Sequence, residues 1–180
     1  MKSSILLAAL LAFSSPALLA QGPQPPQRAA TAGAPGDDSK AMISAKLKDL
    51  NGKTINLDEM KGSILVVDFW ATWCGPCITE IPAYNKLQEK YAKQGVKIVG
   101  VTLASGEAKE VRPFVTRHDM KYTILMGEDS LGYDFNVVGF PTTYLVTKDW
   151  KVYRKYVGAG PRKTAQLETD IQSLLGQKEP

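Results

Sequence analysis

The chain has 180 residues, 44 % of them hydrophobic, and a formal net charge of +4, totals that fit one soluble domain with a sizeable core plus an additional segment. No Lys/Arg run is dense enough to form a nucleic-acid or membrane patch, so the surplus reads as a mildly basic surface and no nucleic-acid partner is expected. The two cysteines stand three positions apart, too few for a disulfide-stapled scaffold and too close for a bridge to remove much unfolded-state entropy, so the pair reads as reactive rather than structural.

Met1 and Lys2 precede an alanine-rich apolar run, Ile5 to Leu19, with Ser14, Ser15 and Pro16 near its end. This is the charged start and short apolar centre of an export signal over residues 1–20, too short to cross a bilayer comfortably. Cleavage is expected after Ala20. Leu18 is larger than the small residue preferred before the cut, which leaves a retained N-terminal anchor as the alternative. Residues 21–41, with Pro23, Pro25, Pro26 and Pro35, have no apolar period and read as a disordered tether. An exported chain would work in the periplasm or on the extracytoplasmic face of the membrane.

The folded part is expected over residues 42–176, with 177–180 as a tail. Ser44 to Leu50 and Lys53 to Leu57 read as a β-hairpin closed at Asn51-Gly52 by a tight primed turn, because Asn-Gly supplies the positive φ angles such a turn needs. One helical turn over Leu57 to Lys61 stops at Gly62. Ile64, Leu65, Val66, Val67 and Phe69 follow without alternation, the pattern of a central strand buried on both faces. Cys77, Ile81, Tyr84, Leu87 and Tyr91 then repeat at helical spacing as far as Gly95. Pro82, lacking a backbone donor, is expected to bend that helix.

Val96 to Leu103 is the next strand, and Val111, Phe114, Val115 and His118 form the stripe of a helix whose first turn suits Pro113. Thr123 to Leu125 is a short strand and Ser130 to Phe135 a short helix. Pro141 to Thr147 and Lys151 to Val157 make a second hairpin around Lys148-Asp149-Trp150. Leu167, Ile171, Leu174 and Leu175 mark a closing helix ended by Gly176. Strands alternating with helices make an α/β layered sheet in one domain.

A Cys-X-X-Cys at a helix start puts its first sulfur beside unpaired backbone donors and the positive end of the helix dipole, which favours thiolate. Cys74 is the natural nucleophile. Cys77, one turn in and more buried, suits resolution of the mixed disulfide. Asp68 stands in an apolar strand, where a lone carboxylate is costly, and at the strand end leading to the cysteines it could exchange a proton with Cys77. Glu80, three residues after Cys77, is a second candidate for that exchange, or simply an acid favourable to the helix dipole.

Phe69-Trp70-Ala71-Thr72-Trp73-Cys74-Gly75-Pro76-Cys77 resembles the signature of the thioredoxin superfamily, and Val138-Gly139-Phe140-Pro141-Thr142-Thr143 resembles its second signature. The leader, the tether and the intervening helix, strand and helix from Glu107 to Phe135 resemble the TlpA/ResA-like exported branch. The resemblance implies a thioredoxin fold, with a central mixed β-sheet flanked by helices, an N-terminal β-hairpin and a central αβ insertion. It implies that Cys74 attacks, Cys77 resolves and Pro141 is cis against them. Phe140 would offer backbone groups to an extended substrate, and Trp73, with Gly75 and Pro76, would form the docking surface. Asp68 matches the buried acid of thioredoxin, and Glu80 an acidic position of the TlpA/ResA-like branch.

The sequence offers only His118 and distant carboxylates beside the cysteines, so neither a metal nor a cofactor other than the redox-active pair is expected, and His118 reads as a packing residue. A peroxidase of the peroxiredoxin kind has a threonine three residues before its cysteine, where Ala71 stands. A peptide-binding, chaperone-like module is the alternative from another class, against which the intact pair argues. Gly75-Pro76 resembles reducing thioredoxins, so a reductase of protein disulfides is expected, with a disulfide oxidase or isomerase as the other redox reading. The partners implied are disulfide-containing envelope proteins, apocytochrome c among them, and a membrane-embedded thiol transporter as electron donor. A monomer is expected.

Overall fold

The computed structural model describes residues 45–176. The expected leader, tether and tail, and residues 42–44 of the expected domain, lie outside that range. Among the described residues seven strands form a single sheet in the order β2-β1-β5-β4-β3-β6-β7, with β1 at Lys46–Asp49, β2 at Thr54–Asn56, β3 at Ile64–Trp70, β4 at Val96–Thr102, β5 at Thr123–Met126, β6 at Thr142–Val146 and β7 at Val152–Val157. The helices are α1 at Gly75–Tyr91, α2 at Ala108–Arg117, α3 at Leu131–Asp134 and α4 at Pro161–Gly176. The sheet is mixed: β3 runs parallel to β4 and antiparallel to β6, and β1 and β2 form the N-terminal hairpin. This is the thioredoxin fold with the inserted α2, β5 and α3 that the resemblance implies.

All seven residues of β3 are buried. Ile64, Val66 and Trp70 pack with Tyr84, Leu87 and Tyr91 of α1, Val111 of α2 and Leu167, Ile171 and Leu174 of α4. Leu65, Val67 and Phe69 point the other way, toward Leu57, Phe135, Tyr144 and Trp150. Such an unbroken apolar run is what a central strand covered on both faces requires. Helices α1 and α2 share a face because β3, β4 and β5 lie side by side in parallel and each crossover is right-handed. Asp68 falls on that helix-covered face, in step with Val66 and Trp70.

Three local expectations are corrected. Asn51-Gly52 is not a two-residue primed turn. Only Gly52 has a positive φ (83°), and the Asp49 N–H bonds to Lys53 O at 2.9 Å around a three-residue loop. The Asp49 carboxylate accepts from the N–H groups of Asn51 and Lys53, at 2.8 and 2.9 Å, and so selects the longer turn. Pro113 lies in the middle of α2, because Glu110 reaches back to accept from the Glu107 N–H at 2.6 Å and starts the helix early. Gly176 is the last residue of α4 rather than its stop.

The β6–β7 turn has Trp150 at φ 68°, a left-handed conformation rare for a bulky residue. Its indole is buried beside Val67 and Val146, and Lys61 Nζ lies 5.9 Å from the ring centroid. Burial of the ring offsets the local strain. Helix α1 continues through Pro82 to Tyr91.

Candidate active site

Where β3 ends, the Leu103 N–H bonds to Trp70 O at 3.0 Å and holds the exit of β3 against the end of β4. The chain then turns through Ala71, and the Cys74 N–H returns to Ala71 O at 3.1 Å. Cys74 is therefore the N-cap of α1, with Pro76 in the first turn, where its missing N–H leaves no helical bond unmade. Cys74 Sγ accepts the Cys77 N–H at 3.2 Å, and the two sulfurs are joined in a disulfide of 2.00 Å.

That backbone bond and the helix dipole both favour negative charge on Cys74 Sγ once the disulfide opens. The expectation that Cys77 is the more buried does not hold in this form. Both cysteines are 4 % exposed, because the disulfide and the hydrogen bond turn Cys74 Sγ inward.

What reaches solvent is the rim. Trp73 is 65 % exposed, with its Nε1–H donating to Ala104 O at 2.8 Å and its ring edge-on to Phe140 at 5.6 Å. Gly75 and Pro76 are exposed as well. Trp73, Pro76, Val138 and Phe140 line a groove of about 400 Å³ that opens onto Cys74. The Phe140–Pro141 peptide bond is cis. Pro141 O accepts the Gly158 N–H at 2.9 Å, which ties this loop to the end of β7.

Beneath α1 lies a set of buried polar groups. Asp68, 2 % exposed, pairs with Gly100 on β4 and with Thr143 on β6. Its Oδ1 accepts from the Thr143 hydroxyl at 2.7 Å and from the Tyr84 hydroxyl at 3.2 Å. Burial pushes the Asp68 carboxyl up to about 6, against the attraction of Lys163 and the two hydroxyl donors. The same burial, with Asp68 nearby, drives the Tyr84 and Tyr122 phenols well above their ordinary range, so both stay protonated donors.

Glu80, 3 % exposed, is not the solvated acid that dipole compensation alone would place at a helix start. Its Oε1 accepts the Gly160 N–H at 3.1 Å and its Oε2 lies 2.7 Å from Lys163 Nζ. Lys163 is itself almost fully buried, with Nζ 5.5 Å from the Tyr84 ring centroid. Sequence reasoning missed Lys163. Its signal was a cation in the first turn of a helix, where the dipole disfavours positive charge and only a partner elsewhere explains it.

His118 follows α2 with its ring 4.2 Å from Phe114, which in turn packs on Trp70 at 5.4 Å. Among the described residues no group of three or more His, Cys, Asp or Glu side chains is placed to hold a metal.

Residues 39–155 match the AhpC/TSA family. Over 126 residues the chain is 36 % identical to the thioredoxin-like protein YneN of Bacillus subtilis, covering 69 % of this chain and 74 % of that one. It is 36 % identical over 128 residues to the thiol-disulfide oxidoreductase ResA of Bacillus cereus, covering 70 % and 72 %. Among solved structures, a Chlorobium tepidum protein assigned as the thiol:disulfide interchange protein DsbE superposes with a TM-score of 0.68 at 30 % identity, over 73 % of this chain and 93 % of that one.

Proposed function

Because the chain belongs to the AhpC/TSA family and is a thioredoxin-like thiol-disulfide oxidoreductase, we propose that it acts as an exported reductase of protein disulfides. The observation that carries the direction of attack is the position of Cys74 at the N-cap of α1, its sulfur accepting the Cys77 N–H at 3.2 Å. A thiolate there is stabilised without a neighbouring cation, and it stands at the mouth of the groove.

In the dithiol form, Cys74 Sγ attacks one sulfur of the substrate disulfide, and the other substrate sulfur leaves as a thiolate and takes up a proton. Cys77 then passes its proton to a buried carboxylate, Asp68 or Glu80, and bonds to Cys74 Sγ. The mixed disulfide breaks, and the second substrate sulfur departs with the bonding electrons and is protonated. Two electrons have passed to the substrate, and the Cys74–Cys77 disulfide is the product.

A membrane-embedded thiol transporter returns the electrons by the reverse exchange, which an oxidising compartment makes necessary. Phe140, whose backbone groups make no hydrogen bond among the described residues, pairs with the substrate backbone, and Trp73 packs on its side chains. Envelope proteins with disulfides, apocytochrome c included, are the substrate class. A role in the periplasm or at the outer face of the membrane follows from the leader, which lies outside the described residues.

The deciding measurement is the reduction potential of the pair, together with turnover of an insulin disulfide. A thioredoxin-like potential with turnover supports the reductase. A value near that of strong disulfide oxidants, about −120 mV, assigns an oxidase instead. Trapping with Cys77→Ser in the native host would identify the partners held by Cys74. Retained binding with no redox phenotype from Cys74→Ala would mark a binding module.

A further inference from the structure

Trp73, at the rim of the groove, takes its support from outside the cysteine segment. Its indole N–H donates to Ala104 O at 2.8 Å, in the loop that leaves β4. The hydroxyl of Ser105 in the same loop accepts the Thr72 N–H at 2.9 Å and donates to Leu103 O at 2.9 Å. The loop therefore holds Trp73 by its ring and the preceding residue by its backbone.

Ala104 stands at φ 50°, in the left-handed region that is costly for a residue with a Cβ. Such a conformation persists where the surroundings fix it from more than one side. Here the Ala104 carbonyl is held by Trp73, and its N–H donates to Asp129 Oδ1 at 2.7 Å. Asp129 gives its carboxylate to this contact and not to the N–H groups of α3, whose N-cap is Ser130.

The backbone makes Asp129 a fixed post. The β4–β5 ladder runs as far as Thr102 opposite Met126, and the Gly127 N–H returns to Thr102 O at 3.0 Å, so the approach to α3 lies beside the Ala104 loop. The Asp129 carbonyl accepts the Gly132 N–H at 3.1 Å. Phe135, which ends α3, is fully buried, and its carbonyl accepts the Tyr144 hydroxyl. The Val137 N–H then returns to Gly132 O at 2.7 Å, and Val137 and Val138 line the groove. One short segment is thus tied to both stretches that line the groove, to residues 73–76 through a side chain and to residues 137–140 through the backbone.

We propose that Asp129 is a positioning residue of the docking groove, which holds the exposed Trp73 ring in place through the Ala104 peptide, so that the inserted β5–α3 segment sets how the groove receives a protein disulfide. This rests on the reading of the groove as the substrate's docking site. Asp129 itself does not line the groove. Without its carboxylate, Ala104 relaxes to negative φ, its carbonyl turns away and Trp73 loses its acceptor. The ring then samples other poses, and ordering it becomes part of the cost of binding substrate. The loss falls on KM rather than on kcat.

The test compares wild type, Asp129→Ala and Asp129→Asn, the last keeping an oxygen that can accept from Ala104. Asp129 is exposed, so neither change threatens the fold. In the nitrogen–proton NMR spectrum of the oxidised protein without substrate, the Trp73 indole peak is identified by its loss in Trp73→Phe. In Asp129→Ala that peak shifts and its proton exchanges faster with water, whereas the peaks of the buried Trp70 and Trp150 stay in place, which a general loosening of the fold would not allow. Asp129→Asn restores the wild-type peak.

Insulin turnover with dithiothreitol as electron donor reads the consequence. In Asp129→Ala kcat/KM falls about fivefold through KM, the scale of one lost hydrogen bond, and Asp129→Asn recovers it. In the Trp73→Ala background the same substitution adds no further loss, since Asp129 acts through that ring. An unmoved Trp73 peak, a loss carried by kcat, or losses that add in the double variant overturns the proposal. A wild type inactive on insulin counts against the reductase reading alone; the same variants are then compared in oxidising reduced, unfolded ribonuclease, and the indole spectra decide as before.

Discussion

Thr143 stands directly opposite Asp68 in the antiparallel β3–β6 ladder, and its hydroxyl donates to Asp68 Oδ1 at 2.7 Å. The residue that follows the cis Phe140–Pro141 bond by two positions is thus wired to the acid beneath the cysteines. Replacing it with the isosteric valine removes a donor to the carboxylate. In Thr143→Val the Asp68 midpoint should rise above about 6, since that bond lowers it, and the pH at which Cys77 resolves should rise in parallel. The variant also loses about 1–3 kcal/mol at neutral pH, where the buried anion keeps only the longer bond from the Tyr84 hydroxyl. A resolving step with an unshifted pH midpoint would argue that Asp68 takes no part.

Asp68 itself lowers the stability of the fold at neutral pH. Its carboxyl is ordinarily near 3.8 and is held at about 6 in the fold, so between these values the folded state binds more protons than the unfolded chain. Stability therefore falls as pH rises through that window and stays lower above it. At about 1.4 kcal/mol per pH unit the loss is about 3 kcal/mol. Asp68→Asn should be more stable than wild type at pH 7 by up to that amount, should show no such gain below the ordinary carboxyl range, and should resolve mixed disulfides more slowly. Urea unfolding of the oxidised protein at two pH values checks the sign.

Gly100 is paired with Asp68 on the other side, in the β3–β4 ladder. A Cβ there would stand 2.9 Å from Trp70 Nε1 and 3.0 Å from the Tyr122 ring, and both rings are buried. Gly100→Ala should lose about 1–3 kcal/mol by overpacking. If the rings part and admit water to Asp68, its midpoint should fall toward the ordinary value. Denaturation and the carboxyl titration measure the two effects separately.

Trp73 is exposed and contributes little packing, so Trp73→Ala should change global stability by less than about 1 kcal/mol. Its place over the groove predicts a selective defect. Turnover of a protein disulfide should drop by about tenfold in kcat/KM, while a small-molecule disulfide is reduced almost as before. Equal losses on both would assign Trp73 to the chemistry rather than to docking.

Much of this architecture was legible in the chain because the signals are local. The unbroken run from Ile64 to Phe69 could only be a two-faced strand, and the helical repeat from Cys77 to Tyr91 placed both cysteines at a helix start. The turns were read less well. Asn51-Gly52 was outvoted by the carboxylate of Asp49, and Pro113 by the back-bond from Glu110. In each case a side-chain contact overrode a dipeptide preference.

The cysteine pair, its strand-to-helix setting, the facing Pro141 loop and the two candidate acids were all determined by the sequence, because chemistry of that kind is written in residue type and short spacing. What only the tertiary structure decided is how the acids differ. Lys163 lies 83 residues beyond Glu80, and no periodicity links them; the fold brings them to 2.7 Å because α4 packs beside α1 on one face of the sheet. Which buried carboxylate meets a cation and which meets hydroxyls depends on donors from β6, α1 and α4, elements joined only by folding.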